Sequence, residues 1–328
     1  MFQLDVLLGT ACDAKCPYCV QATRGTKADK TPDIPAFAAA VASRVQDLNR
    51  LKLWGGEPMM YVDRLISTVQ ALAAHGVRPR VIVVTTNGHR IPDEYVGYAN
   101  IHPEVHTNVS WHDGLTDDQL DAVFKLRRLS VSTLVHHKRT SLWEMKELSD
   151  KCASRYGRRP ATVAQYVYAV DGCSPDYAMT KDDVDEFCRH VRRDVMPLAA
   201  SGDEWAGRQL VSLSAWRRLR YRRSDGAMCV RKDQLSVDLH GSIYQCHHDF
   251  HPSTVVGSLF GKVIPIAAER SEPNKYYRSE ECQRCWLLDE CRGGCFRSWT
   301  HDVDCYRAKR LHELFDDVDA FIGGAYAV

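Results

Sequence analysis

Near the amino end, the stretch Ala11–Gln21 (ACDAKCPYCVQ) sets Cys12, Cys16 and Cys19 within eight residues, with Tyr18 just ahead of the last. Thiolates are strong ligands for iron and zinc, and a tetrahedral protein site needs four donors. Three close cysteines therefore mean either a ligand supplied from elsewhere or a position left open for something that is not protein. A second group follows far along the chain: Cys229, Cys246, Cys282, Cys285, Cys291, Cys295 and Cys305. Thirteen cysteines would suit a disulfide scaffold in a short secreted chain, but this one has 328 residues and no signal peptide. Clustered cysteines in such a chain favour metal over disulfides.

Three further stretches carry chemistry. WGGEP contains Gly55, Gly56 and Glu57, in which two glycines permit close backbone approach and a carboxylate stands beside carbonyls. That combination suits the amino group of a small ligand. TTNG (residues 85–88, with Thr86 and Asn87) and VSWHDG (109–114, with Ser110) add polar groups. Each alone reads as a turn.

These residues need elements to position them. Apolar runs at 3–8, 51–54, 80–85, 104–110, 129–135 and 162–169 predict strands. Between them, helices are predicted at 35–48, 62–75, from Thr116 (a capping box with Gln119), at 141–154 and at 181–196. Six strand–helix units imply a parallel sheet, open or part of a barrel, with chemistry at the carboxyl ends of the strands. The cysteine loop, WGGEP, TTNG and VSWHDG all fall at such ends. Cys152 and Cys188 sit on apolar helix faces and read as core thiols; Cys173, in VDGC after the sixth strand, is read as buried, with a ligand role as the alternative.

A formal net charge of +1 excludes a generally acidic or basic character. No apolar run is long enough to span a bilayer, so a cytoplasmic protein with no membrane partner is expected. The local exception in charge is WRRLRYRR (216–223), read as a solvated helix face or, with its aromatics, a grip on phosphates.

Cys12-x3-Cys16-x2-Cys19 followed by GGEP resembles the radical S-adenosylmethionine (SAM) enzymes. The resemblance implies a partial (β/α)6 TIM-like barrel holding a [4Fe–4S] cluster on these three cysteines. SAM would chelate the open iron and be cleaved to a 5′-deoxyadenosyl radical that abstracts a substrate hydrogen. Gly55, Gly56 and Glu57 would hold the SAM amino group; Thr86, Asn87 and Ser110 would face its ribose or carboxylate. Zinc is the alternative for three close cysteines. The second group, Cys229-x11-Gly241-x4-Cys246 through Cys305, is similar to the SPASM extension with two auxiliary [4Fe–4S] clusters. By that resemblance Cys229, Cys246 and Cys295 serve the first, and Cys282, Cys285, Cys291 and Cys305 the second. Relatives such as sulfatase-maturing enzymes carry another Cys just upstream of the first; here RRSDGAM stands there, leaving Asp225 or an open iron.

The implied organisation is a barrel at 1–196, an Arg-rich bridge at 197–228, the SPASM domain at 229–305 and a C-terminal helix at 306–328. The expected reaction is hydrogen abstraction from an aminoacyl group, giving rearrangement or cross-linking, with a peptide as carrier and flavodoxin or ferredoxin as reductant. Asp238 is the candidate proton acceptor if the reaction is an oxidation, against a turn-forming role. Strand one starts at about residue 3, so the leader-binding domain of many peptide maturases is not expected, and a peptide would use an adaptor or dock directly. Two alternatives stand. One is a bacteriophage-type isomerase acting on an amino acid attached to thymine in DNA. The other is a non-catalytic iron–sulfur electron carrier or redox sensor, which would have no use for a SAM pocket.

Overall fold

The computed structural model describes residues 2–19, 31–45, 47–111, 114–167, 170, 173–221, 233–244, 254–261, 279–291 and 298–325. Cys229, Cys246, Cys295, Asp225, His112, Asp113 and the side chains of the Arg-rich stretch lie outside the described residues. In chain order the elements are β1 (Phe2–Leu7), α1 (Ile34–Ala42), β2 (Leu48–Trp54), α2 (Val62–Ala74), β3 (Val81–Thr86), α3 (Asp93–Ile101), β4 (Val105–Trp111) and α4 (Asp117–Phe124). There follow β5 (Leu129–Val135), α5 (Trp143–Tyr156), β6 (Ala161–Tyr166), α6 (Lys181–His190), α7 (Met196–Ala200), α8 (Glu204–Tyr221), β7 (Gln234–Asp238), β8 (Ser242–Tyr244) and β9 (Val255–Ser258). Short helices at Glu280–Gln283 and Leu288–Cys291 precede a C-terminal helix, His301–Ala325. Among the described residues no helix is long and apolar enough to cross a membrane.

The chain forms two compact units, one of residues 1–130 with 230–271 and one of 131–229 with 272–328. In the first, the strand order is β4-β3-β2-β1-β7-β8-β9. β1 pairs in parallel with β2 on one side and β7 on the other, Leu7 facing Trp54 and Asp238 in register. Hence the carboxyl ends of all three strands lie together. One face of the sheet is a dry core: Leu4, Val6, Leu51, Leu53, Ile82 and Val84 are 0% exposed. Helices supply the covering side chains, Phe37 and Val41 from α1 and Leu65, Val69 and Leu72 from α2. The period-2 alternation puts Gln3 and Asp5, Arg50 and Lys52, and His106, Asn108 and Ser110 on the opposite face. Ordinary TIM barrels fill that face with branched apolar residues. Here it is polar.

The capping box forms as its residues require. Thr116 Oγ1 accepts from the Gln119 amide (3.3 Å), and Gln119 Oε1 accepts from the Thr116 amide (2.9 Å). Thr116→Ala is expected to cost about 1 kcal/mol, seen as a lower urea midpoint with an unchanged slope.

In the second unit, α6 packs Val184, Phe187 and Cys188 into a core shared with Leu311, Leu314, Phe315 and Val318 of the C-terminal helix. Asp185 ties the two, accepting from Tyr306 Oη and Arg310 Nε at 2.7 Å each. On β6 Tyr166 is buried edge-on against Phe187, and its neighbour Gln165 is exposed. The helix expected over 181–196 ends as α-helix at His190 and continues as a π-turn over Val191–Val195. α3 has weak apolar periodicity, which hid it from a pattern reading, although Pro92 with Asp93 and Glu94 marks its start. Residues 204–221, inside the stretch read as a bridge, are helical.

Candidate functional site

The cysteine loop begins where β1 ends. The Leu8 amide donates to the Trp54 carbonyl (2.8 Å), the Gly56 amide to Gly9 (2.9 Å) and the Glu57 amide to Ala11 (2.8 Å). The WGGEP loop is thus zipped backbone to backbone onto the start of the cysteine loop. That contact explains the glycines. A Cβ on Gly56 would stand 2.0 Å from the Ala11 carbonyl oxygen, and one on Gly55, at φ +154°, 2.4 Å from that of Gly9. From the far side Tyr61 Oη accepts from the Ala11 amide (2.8 Å), while Arg64 stacks on Tyr61 and donates to the Leu8 carbonyl.

Glu57 is the hub. Its carboxylate, 2% exposed, accepts from the Met59 amide (2.9 Å), Thr86 Oγ1 (2.6 Å) and the Asn87 amide (2.7 Å). Burial raises its pKa, and these donors hold it down only in part. Asn87 passes the connection on. Its Nδ2 donates to Asp13 Oδ1 (2.6 Å), inside the cysteine loop, and its Oδ1 accepts from the His89 amide (2.9 Å). Three loops at three strand ends are thereby locked to one another through one carboxylate.

Between them opens a cleft of about 310 Å³, lined by Asp13, Ala14, Lys15 and Cys16 on one side and by Asn87, His89, Ser110 and Gly114 on the other. Cys12 is exposed, Cys16 and Cys19 half-buried, and Tyr18 is sunk into the core beside them. The Cys19 amide donates to the Cys16 carbonyl (3.0 Å), and the Ala14 amide to Cys12 Sγ (3.4 Å). Burial, with the nearby charges of Glu57 and Asp13, raises the Cys12 thiol pKa, so deprotonation there calls for a cation. Among the described residues no three His, Cys, Asp or Glu side chains converge on one ion-sized point.

Of the residues expected to face SAM, Ser110 and Asn87 line the cleft with the cluster cysteine Cys16, whereas Thr86 is 2% exposed. Thr86 Oγ1 donates to Glu57 and accepts from the Gly88 amide (3.1 Å). Asp238 lies at the same sheet end, beside Leu7. Its Oδ1 accepts from the His240 and Ser242 amides (2.9 Å each), and its Oδ2 from Tyr244 Oη (2.7 Å). Tyr244 packs with Leu7 and Trp54, and burial beside Asp238 raises its pKa. Sequence reasoning missed Asp13, Tyr61, His89 and Tyr244. Asp13 stood in view between Cys12 and Cys16, but its partner is 74 residues away.

In the second unit Cys282 is buried and Cys285, Cys291 and Cys305 are half-buried. Ser279 caps the short helix carrying Cys282, and the Cys285 amide donates to the Cys282 carbonyl. Cys305 has its pKa raised by burial and by the nearness of Cys285 and Cys282. Cys152 and Cys188 are fully buried, with thiol pKa values pushed up to about 11, as core thiols should be. Cys173 is buried and donates to the Ser174 carbonyl (3.4 Å). His136 and His137 are engaged locally, His136 Nδ1 accepting from the Lys138 amide and His137 bonded to Asp183. No disulfide joins any two of the ten described cysteines.

No protein-family model matches the sequence, and no curated protein sequence aligns with it significantly. Solved structures do match. The chain is similar to anSMEcpe with bound AdoMet, at 13% identity over 99% of this chain and 100% of that one, with a TM-score of 0.67. anSMEcpe with bound AdoMet and the Cp18Cys peptide gives 14% identity, 99% of each chain and a TM-score of 0.66. Streptococcus suis SuiB bound to S-adenosylmethionine gives 16% identity, 90% of this chain, 72% of that one and a TM-score of 0.63. The fold is therefore shared with these AdoMet-bound proteins, a mixed α/β architecture consistent with the partial barrel expected from the sequence.

Proposed function

We propose that this chain is a radical SAM enzyme of the SPASM type that modifies an aminoacyl group, carried by a peptide. The observation that carries the reading is the cleft between Cys16 and the Asn87–Ser110 wall, with three strand-end loops clamped around it by Glu57. The donor set fits the group: three thiols in one loop suit a cluster with one open iron, and a polar cleft beside them suits SAM. When bound, the [4Fe–4S] cluster and SAM supply the electron and the hydrogen-abstracting power that side chains lack.

The chain's own residues bind and orient. Cys12, Cys16 and Cys19 would hold the cluster, and the carbonyls of the Gly55–Gly56–Glu57 loop would accept from the SAM amino group. Asn87 and Ser110 would meet the ribose or carboxylate. Thr86 has both hydrogen-bonding directions engaged, so we assign it, with Glu57, to positioning. Cys282, Cys285, Cys291 and Cys305 would hold one auxiliary cluster, and Cys229, Cys246 and Cys295 another. Asp238, which already accepts from two turn amides and Tyr244, would be the proton acceptor if the reaction is an oxidation. Flavodoxin or ferredoxin would supply the reductant. A peptide substrate is supported by the relatives: anSMEcpe has been seen with the Cp18Cys peptide, and SuiB with its precursor peptide SuiA.

The test offers the anaerobically reconstituted enzyme a Ser- or Cys-containing peptide and, separately, duplex DNA bearing aminoacylated thymine, reading deoxyadenosine and substrate mass. Deoxyadenosine rising with the peptide, with a two-hydrogen mass loss, is the oxidative or cross-linking outcome. Rising with the peptide at unchanged mass would be rearrangement. A response to the DNA alone would replace this reading with the nucleobase isomerase.

A further inference from the structure

The polar face of the first unit's sheet continues away from the cleft. Arg50 lies four residues before Trp54 on β2, about 13 Å back from the carboxyl end. Strand register puts His106 of β4 on the same face, and the Thr107 amide donates to the Arg128 carbonyl (3.0 Å), bringing Arg128 beside it. Both arginines are exposed, and among the described residues no carboxylate pairs with either. Acids nearby have other partners: Glu104 faces His102 (3.3 Å), Asp47 faces Arg80 (3.8 Å), and Asp5, one rung further on, accepts from Gln3 and Gln234. Lys52, in register with Asp5, stacks over Trp54.

His106 is held by a directed chain. Ser130 Oγ donates to Asn108 Oδ1 (2.9 Å), so it must accept from His106 Nε2–H (2.9 Å). Nδ1 is then the nitrogen that gains or loses the proton. Burial and the charges of Arg128 and Arg50 lower the His106 pKa. Arg50 on the sheet face and Arg128 just before β5 bring two guanidinium charges to bear on His106, a like-charge grouping that an anion relieves, and Arg is the side chain suited to oxyanions.

We propose that the amino-terminal end of this inner face binds a phosphate group, held by Arg50, Arg128 and His106. The site is separate from the SAM cleft and does not depend on radical chemistry. The phosphate could belong to a nucleotide or to a phosphorylated amino acid, and the test separates them. Cluster-loaded full-length enzyme is dialysed to equilibrium against labelled inorganic phosphate, then against a nucleoside 5′-monophosphate and phosphoserine, with chloride matched for ionic strength. Saturable binding is expected, at least tenfold weaker in Arg50→Ala and in Arg128→Ala and absent in the double variant. The stronger of the two organic arms identifies the source. Deoxyadenosine formation by the double variant without phosphate should match wild type, which shows that it folds. Binding equal in wild type and double variant, or none beyond that of matched chloride, overturns the site.

Discussion

Gly56→Ala is expected to remove SAM binding and to destabilise the first unit by about 3–5 kcal/mol, from overpacking together with two lost backbone hydrogen bonds. The reason is local. The added Cβ would stand 2.0 Å from the Ala11 oxygen and 2.5 Å from its carbon, and neither is a flexible side-chain tip. The WGGEP loop would have to lift away, breaking the bonds from the Gly56 and Glu57 amides to Gly9 and Ala11. Gly97→Ala is the control: nothing lies within 4 Å of its Cβ position in α3, so a gain of about 0.5–1 kcal/mol is expected. Urea midpoints and SAM dialysis on both variants decide the matter. A Gly56→Ala protein with a wild-type midpoint would show that the two loops are not zipped as described.

The second large effect is at Glu57. In Glu57→Gln the side-chain amide would point N–H groups at a backbone N–H of Asn87 or Met59, leaving a buried donor unsatisfied at about 1–3 kcal/mol. Asn87 would lose its anchor, and with it the bond to Asp13 that sets the cleft wall. SAM affinity should fall at least tenfold, more than stability alone requires. The pH dependence has a definite sign. Because burial raises the folded-state pKa of Glu57 above its unfolded value, the folded chain holds this proton more tightly. Its contribution is most favourable below the unfolded carboxylate range and is lost as pH rises through the folded value. Wild-type stability should therefore decline with rising pH in that window relative to Glu57→Gln, which has no such proton. A constant difference across the window would contradict the buried carboxylate.

The strand ends were legible in the sequence because a parallel sheet gathers its chemistry there, and Cys12–Cys19, GGEP, TTNG and Ser110 all followed predicted strands. What was not legible is how the motifs serve one another. Gly55 and Gly56 suggested close approach by a ligand; in the fold it is the backbone of Gly9–Ala11 that comes up against their Cα atoms. The WGGEP motif made Glu57 a ligand contact and the family resemblance made Thr86 one, yet they are hydrogen-bonded to each other, 29 residues apart. No local pattern encodes such a pairing. The same holds for Tyr244 and Asp238, six residues apart across a hairpin whose register had to be known first. Polar positions on β2 and β4 broke up apolar runs without revealing that they share one face.

The central claim is that the Cys12–Cys16–Cys19 loop carries a cluster open to SAM. The most direct measurement compares wild type with a Cys12→Ala/Cys16→Ala/Cys19→Ala variant, both reconstituted anaerobically with iron and sulfide, given SAM and a strong reductant, and assayed for iron and 5′-deoxyadenosine. Wild type should form deoxyadenosine. The variant should form none while losing about four irons per chain, one cluster's worth, and keeping those of the carboxy-terminal cysteines. Equal deoxyadenosine from both proteins, or none from a fully iron-loaded wild type, would contradict the account.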